Sequence, residues 1–251
     1  MTSGIQQLHN VWLNNRSSQD TSLPQISFGD LTNSIISTGP FCYYIIDFFN
    51  MGLSHVSESI KMLTGLNPDT VTFTDILGSI HPDDLDFVIK AEAFLTRFFD
   101  KKIGREKLLS YKISYNLRSR VSDGSYVMFN HQALMLTLDE SGGYGKSLNI
   151  NTRIDHISKV NNYKVSLIGL HGEPSFMGIG LEDSPEQAEP YSKREIDVIK
   201  LLAEGLSSKE IGDKLFISQE TVKTHRKNIL EKAGCKNTSQ LISGCIRQGL
   251  I

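Results

Sequence analysis

Three helix starts follow one another closely in the C-terminal part of the chain. Ser192 and Ser207 are each followed three residues later by a glutamate, Glu195 and Glu210. This spacing is a capping box, in which the serine and glutamate side chains each accept a hydrogen bond from a free backbone N–H. Ser218 can cap a third start. Starts at such intervals restrict this region to short helices joined by tight turns.

Glycines mark where these helices end. Gly205 and Gly234 stand at positions typical of left-handed helix stops. Together with the caps they predict four helices, over residues 193–204, 208–214, 219–233 and 238–248. The turn between the second and third falls near Phe216 to Gln219, so the order is a helix-turn-helix.

The third helix has two chemically different faces. On a helical wheel Val222, Ile229 and Ala233 share one side. The opposite side carries polar and charged residues, namely Glu220, Thr224, Lys227 and Glu231, flanked by Lys223 and Asn228. Short polar and long cationic side chains on an exposed helix can reach base edges and phosphates in a major groove.

Charge is divided unevenly along the chain. From Pro190 onward there are 11 Lys and Arg against 7 Asp and Glu, whereas the preceding part has 15 against 21. The overall formal charge of −2 therefore conceals a basic C-terminal part, which favours an interaction with nucleic acid there.

Three segments of this region resemble the LuxR-type (LuxR/FixJ/NarL) four-helix DNA-binding domain across residues 190–251. They are SKRE at 192–195, EGLSSKEI at 204–211 and ISQETVKTHRKNI at 217–229. Two positions depart from the family pattern, because Ser208 replaces a usual Asn and Gly212 replaces a usual Ala. The first departure weakens an expected phosphate contact, and the second is expected to cost the helix about 1 kcal/mol.

The resemblance implies that the third helix reads double-stranded DNA and that the fourth pairs two chains into a homodimer. Base contacts are then expected from Lys223, Thr224 and Lys227. Helix N-termini suit phosphate, and the stem of a cation near the apolar seam can lie over the core with its head toward a phosphate. The expected phosphate contacts are Ser208, Lys209, Ser218, Thr221, Arg226 and Asn228. The expected dimer contacts are Leu241, Cys245 and Ile246.

The N-terminal part alternates between strand and helix patterns. A short amphipathic helix is predicted over Ile5 to Asn14, with Trp12 packing on its own domain, and residues 15–25 form a connector. Strands are predicted at residues 41–49, 51–56, 109–118, 126–139, 147–156 and 165–172. The remaining predicted helices begin near residues 57, 74 and 82, the last extending to about Phe99.

This order resembles a PAS sensory domain over roughly residues 25–160. The HPDD segment at 81–84 opens the long helix, and the DGS turn at 123–125 joins two long strands. The resemblance implies an α+β fold, an antiparallel sheet with helices on one side. The predicted organisation is an N-terminal helix and connector (1–24), a PAS-like domain (25–180), a linker (181–190) and the helix-turn-helix domain (191–251).

No cofactor, metal or catalytic pattern is recognisable. The seven histidines include no i, i+4 pair and no cysteine partner at zinc spacing. His81 precedes Pro82 at a helix start, where capping or packing is expected rather than haem ligation, and Cys42 lacks the sequence around a flavin-reactive cysteine. Nucleophile elbows and phosphate-binding glycine loops are absent too, so we expect no enzyme.

The expected setting is the cytoplasm. No apolar run approaches the length of a membrane span, and the start has no signal-peptide pattern. Three widely spaced cysteines (Cys42, Cys235 and Cys245) fit reduced thiols better than a disulfide framework.

The sequence thus predicts a DNA-binding transcriptional regulator whose PAS-like domain senses a small-molecule or protein signal, or provides a dimer surface. The alternative is a signalling adaptor in which the PAS-like domain binds a protein partner. A third reading is a small-molecule-binding or hydrolytic α+β domain mistaken for PAS.

Overall fold

The computed structural model describes residues 3–22, 38–185, 188 and 190–251. Within these residues the N-terminal part contains one antiparallel sheet of seven strands in the order β2-β1-β5-β4-β3-β6-β7. The strands are β1 Phe41–Asp47, β2 Gly52–Ser54, β3 Tyr111–Arg120, β4 Tyr126–Leu138, β5 Tyr144–Arg153, β6 Lys164–Gly169 and β7 Phe176–Gly180.

The helices of this part pack on one face of the sheet, which is the PAS-like architecture implied by the sequence. They are α1 Ser3–Leu13, α2 Ser59–Thr64, α3 Phe73–Gly78 and α4 Pro82–Phe98. A π-helical turn at Phe99–Ile103 and a 3-10 segment at Arg105–Ser110 lead from α4 into β3.

The start of α4 confirms the role expected for His81. Its Nδ1 accepts a hydrogen bond from the backbone N–H of Asp83 at 3.1 Å, and its ring packs edge-on against Tyr126. Pro82 occupies the first helical position, where its missing N–H costs nothing. His81 therefore both caps and packs.

Helix α1 is anchored on α4. Leu8 and Trp12 are buried between the two helices and the sheet, so the prediction for Trp12 is confirmed. The indole Nε1 of Trp12 donates to Glu92 Oε2 at 3.0 Å, and Tyr115 donates its hydroxyl to Glu92 Oε1 at 2.6 Å.

Strand β7 was not predicted, and each of the six predicted strands differs from its observed bounds at one end or both. Glycines at 178 and 180 interrupt the period-two pattern of β7, which forms by pairing with β6. The first strand ends at Asp47 rather than at 49, and β5 begins at 144 rather than 147 because the Asp139 carboxylate closes a tight hairpin turn. The strand predicted at 165–172 is β6, which ends at Gly169. Parts of the predicted connector (15–25), of the PAS-like domain (25–180) and of the linker (181–190) lie outside the described residues.

The C-terminal part consists of four helices close to their predicted bounds. They are α5 Lys193–Ala203, α6 Ser208–Leu215, α7 Gln219–Ala233 and α8 Thr238–Arg247. Both capping boxes form as predicted, and Gly205 and Gly234 have the left-handed backbone of helix stops.

The two parts meet at the β6–β7 edge of the sheet. Ile168 and Met177 from these strands pack with Tyr191 and the core of the four helices. The backbone of Ser175 also forms an antiparallel bridge with Tyr191. The helical domain is therefore attached to the sheet beside β3, β6 and β7.

Candidate nucleic-acid interface and sensory cavity

Helix α7 presents the two faces that its sequence predicts. Val222 and Ile229 are fully buried in the helical core. The side chains of Lys223 and Lys227 are 54% and 75% exposed, and Thr224 is exposed between them. The three residues expected to contact bases thus share one solvent-facing side of the helix.

Two carboxylates occupy the same face. Lys223 Nζ lies 2.6 Å from Glu220 Oε1, and Lys227 Nζ lies 3.8 Å from Glu231 Oε1. Exposed pairs of this kind contribute at most about 1 kcal/mol, so phosphates or base edges can replace the carboxylates at little cost. The i, i+3 and i, i+4 spacings were visible in the sequence, but we did not predict these pairs from it.

The residues expected to contact phosphate fall into two groups. Ser208 and Arg226 are engaged within the domain, since Arg226 Nη1 donates to Ser208 Oγ at 2.7 Å and Nη2 donates to Thr238 Oγ1 at 3.2 Å. Arg226 therefore joins α7 to α6 and α8. The other four are exposed on or beside α6 and α7, namely Lys209, Ser218, Thr221 and Asn228.

The turn between α6 and α7 explains one departure from the family pattern. A Cβ atom on Gly212 would lie 2.7 Å from the carbonyl oxygen of Ile217, so glycine lets the turn approach α6 closely. Phe216 adopts a left-handed backbone in this turn and is 95% exposed. Glycine at this position is expected to lower the stability of α6. In return, it lets the turn pack closely against α6.

The three predicted dimer contacts on helix α8 differ in their exposure to solvent. In a single chain Leu241 and Cys245 are 3% and 5% exposed and pack in the helical core, whereas Ile246 is half-buried. Burial raises the pKa of the Cys245 thiol to about 12, which keeps it protonated. Pairing through α8 remains a prediction.

The PAS-like part encloses a cavity of about 110 Å³ between the helices and the inner face of the sheet. Most of its wall is aromatic or aliphatic, with a polar strip on β4 and β5. We did not predict this cavity, because its wall comes from distant segments of the chain. Its polar side chains include Tyr44, Glu92, Tyr115, His131, Ser147, Asn149 and Asn151.

Burial disfavours the charged forms of two titratable side chains in the cavity wall. His131 Nδ1 lies 3.0 Å from Asn151 Oδ1, and Asn151 Nδ2 donates to the Tyr44 hydroxyl at 3.2 Å. Burial lowers the pKa of His131 to about 4, so its imidazole is uncharged at neutral pH. Burial also raises the pKa of Glu92, against the hydrogen bonds from Tyr115 and Trp12.

Residues 189–244 match the family described as "Bacterial regulatory proteins, luxR family". The C-terminal helices are therefore a LuxR-type helix-turn-helix domain. Similar proteins include the uncharacterised transcriptional regulatory protein YxjL of Bacillus subtilis, which is 42% identical over 66 residues, 26% of this chain and 30% of that protein. The oxygen regulatory protein NreC of Staphylococcus aureus is 33% identical over 79 residues, 30% of this chain and 36% of NreC. The chain thus spans about a third of the length of these relatives.

Solved structures similar to this chain include the N-terminal domain of a diguanylate cyclase with a PAS/PAC sensor from Marinobacter aquaeolei. It is 18% identical, with a TM-score of 0.36, and the match covers 46% of this chain and 96% of that domain. The phage VqmA–DPO complex is 15% identical, with a TM-score of 0.31 over 89% of this chain and 88% of that protein. The antiparallel strand order β2-β1-β5-β4-β3-β6-β7 defines the sheet independently of these structures.

Among the described residues, none of the helices has both the length and the apolar character that crossing a membrane requires.

Proposed function

We propose that this chain is a transcriptional regulator in which α7 reads double-stranded DNA and the PAS-like domain senses a small molecule. The observation that carries the first half is the exposed face of Lys223, Thr224 and Lys227 on the third helix of a LuxR-type domain. Four further exposed polar residues border this face and suit phosphate. Recognition of a two-fold related site by a homodimer would follow from pairing through α8.

DNA binding is tested with duplexes selected from a random-sequence library. Lys223→Ala combined with Lys227→Ala should weaken binding and lower the slope of log affinity against log salt by up to about 2, because two cations no longer displace counterions. Glu220→Gln should instead strengthen binding, since it removes the carboxylate that holds Lys223.

The matched control is Lys61→Ala combined with Lys90→Ala, which removes the same charge from exposed positions of the PAS-like domain. It should leave affinity and salt slope close to those of the unchanged chain. If the α7 double variant behaves like this control, α7 is not the reading helix. If the chain selects no duplex at all, the adaptor alternative is favoured.

The cavity supports the second half of the proposal. Its volume of about 110 Å³ is of the order of the roughly 150 Å³ cavity that admits benzene. Because His131 is neutral and burial raises the pKa of Glu92, the cavity suits an uncharged molecule of about one ring with hydrogen-bonding groups. The proposed signal is therefore a small neutral ligand.

Ligand binding is tested by calorimetry with phenol and pyridine as probes. Ala133 lines the cavity on β4, and Ala133→Phe should fill it and abolish probe binding. Lys159→Ala, on an exposed loop, is the control. If the Ala133→Phe variant and the unchanged chain bind the probes equally well, the probes do not bind in this cavity.

A further inference from the structure

Phe216 differs from the other apolar side chains of the helical domain. It lies in the turn between α6 and α7 and is 95% exposed, more than any other large apolar residue in the part of the chain that the structure describes. Its neighbours Leu215 and Ile217 instead pack on the helical core. The ring therefore contributes no burial free energy to the folding of a single chain.

The backbone of Phe216 is also unsuited to a bulky side chain. Its φ is +54°, a left-handed conformation that favours glycine or asparagine. At the corresponding stops of α5 and α7 the chain has Gly205 and Gly234. A phenylalanine at this stop is thus a local conflict, and residues held in such conformations cluster at functional sites.

Hydrogen bonds on both sides hold the turn in this form. Arg194 Nη2 on α5 donates to the carbonyl oxygen of Leu215. The backbone N–H groups of Phe216 and Ile217 both donate to the carbonyl oxygen of Gly212, the second at 3.0 Å. The ring is therefore presented to solvent by a fixed backbone, and binding through it requires no further ordering of the turn.

Phe216 lies beside the end of α7 that enters a groove. In helix-turn-helix proteins the N-terminal residues of the reading helix contact base edges. Ser218 caps α7, and Glu220 is the first residue of the face that carries Lys223 and Lys227. Because Phe216 precedes Glu220 by four residues, the ring borders the reading face at its N-terminal end.

The surroundings of the ring favour DNA over a protein partner. A protein interface of ordinary size buries about 800 Å² on each side and has an apolar centre. The exposed residues on either side of Phe216 are polar, namely Lys214, Ser218, Gln219 and Glu220. A single apolar group among side chains that suit phosphates and base edges matches a major groove, in which the C5-methyl group of thymine is the apolar feature.

We propose that Phe216 is a specificity-determining residue whose ring packs on the C5-methyl group of a thymine at the edge of the DNA site. This role rests on the proposed function, because it requires α7 to read DNA. It adds one base to the description of the site. On a two-fold related site, each of the two chains contacts one such thymine.

The test uses the full chain and the duplexes selected from the random-sequence library. Each thymine of a selected duplex is replaced in turn by uracil, which removes the methyl group and leaves base pairing intact. At one position in each half-site, this exchange should weaken binding by the unchanged chain about fourfold, the effect of one buried methyl group. Phe216→Asn, which tolerates the left-handed backbone, should bind the thymine and uracil duplexes equally.

Three further variants assign the methyl contact to one side chain. Met62→Asn removes an exposed apolar side chain from α2 of the PAS-like domain and should retain the fourfold difference. Thr224→Ser removes a methyl group from the reading face and should also retain it. Phe216→Gly should reproduce the result of Phe216→Asn, and urea unfolding of both variants shows that they are folded.

A uracil exchange that affects the unchanged chain and Phe216→Asn equally would mean that another residue contacts the methyl group, which would overturn the proposal. Loss of the difference in Thr224→Ser, with its retention in Phe216→Asn, would assign the contact to Thr224 instead. If no exchange weakens binding, the role of Phe216 is refuted, while the proposed function stands provided that Lys223→Ala with Lys227→Ala still lowers affinity. If the chain selects no duplex, both fail.

Discussion

The neutral imidazole of His131 should make the folded chain lose stability as the pH falls. Burial lowers its folded-state pKa from 6.5 to about 4. Between these values the unfolded chain binds a proton that the folded chain does not, so the free energy of unfolding decreases as the pH falls through this window. At about 1.36 kcal/mol per pKa unit, the full difference is about 3 kcal/mol. Above pH 6.5 this contribution is complete.

The assay is urea unfolding followed by circular dichroism, at several pH values between about pH 7 and pH 4.5. His131→Gln cannot titrate, so its free energy of unfolding should fall less over this range, by about 2 to 3 kcal/mol relative to the unchanged chain. Any loss of the hydrogen bond to Asn151 lowers stability equally at every pH and leaves the slope unaffected. His156→Gln, at an exposed position, is the control for the replacement of a histidine by glutamine.

Carboxylates also titrate in this range, but they are the same in all three proteins and cancel in the comparison. The decisive quantity is therefore the difference in pH slope between His131→Gln and the unchanged chain. Identical slopes would mean that His131 binds a proton in the folded chain as readily as in the unfolded one. Burial in the cavity would then not lower the pKa of His131.

Three further changes test local features by urea unfolding. Phe216→Gly should raise the free energy of unfolding by up to about 1 kcal/mol, because the phenylalanine is exposed and its left-handed backbone is strained; a loss would contradict this. Asp84→Ala should cost about 3 kcal/mol, since this fully buried carboxylate accepts several hydrogen bonds from Arg118, and a cost below 1 kcal/mol would count against that pair. Ser207→Ala should cost about 1 kcal/mol by removing a capping box, with Ser239→Ala at an exposed position of α8 as control.

The helical domain was predictable because its signals are local. Ser218 and Gly234 lie at the ends of α7 and determine its bounds through hydrogen bonds to neighbouring residues. The exposure of Lys223 and Lys227 follows from the helical period alone. The engagement of Arg226 did not follow, because its partners come from α6 and α8.

The sheet and the cavity depend on contacts between distant segments. β7 contains glycines and becomes a strand through pairing with β6, a relation that local propensity does not contain. The hydrogen bonds between Trp12, Glu92 and Tyr115 join three separate elements. Periodicity can predict that such residues are buried, but it cannot identify their partners.

The cavity and the contact with the C-terminal domain lie on opposite faces of β3 and β4. Ile113 lines the cavity and its neighbour Lys112 holds the C-terminal turn; His131 and Asn130 repeat this arrangement on the adjacent strand. A strand cannot shift its inner side chains without moving the outer ones, since both are carried by one backbone. A ligand that displaced the backbone of β3 or β4 would therefore also move the outer side chains that contact Arg247 and Gly249.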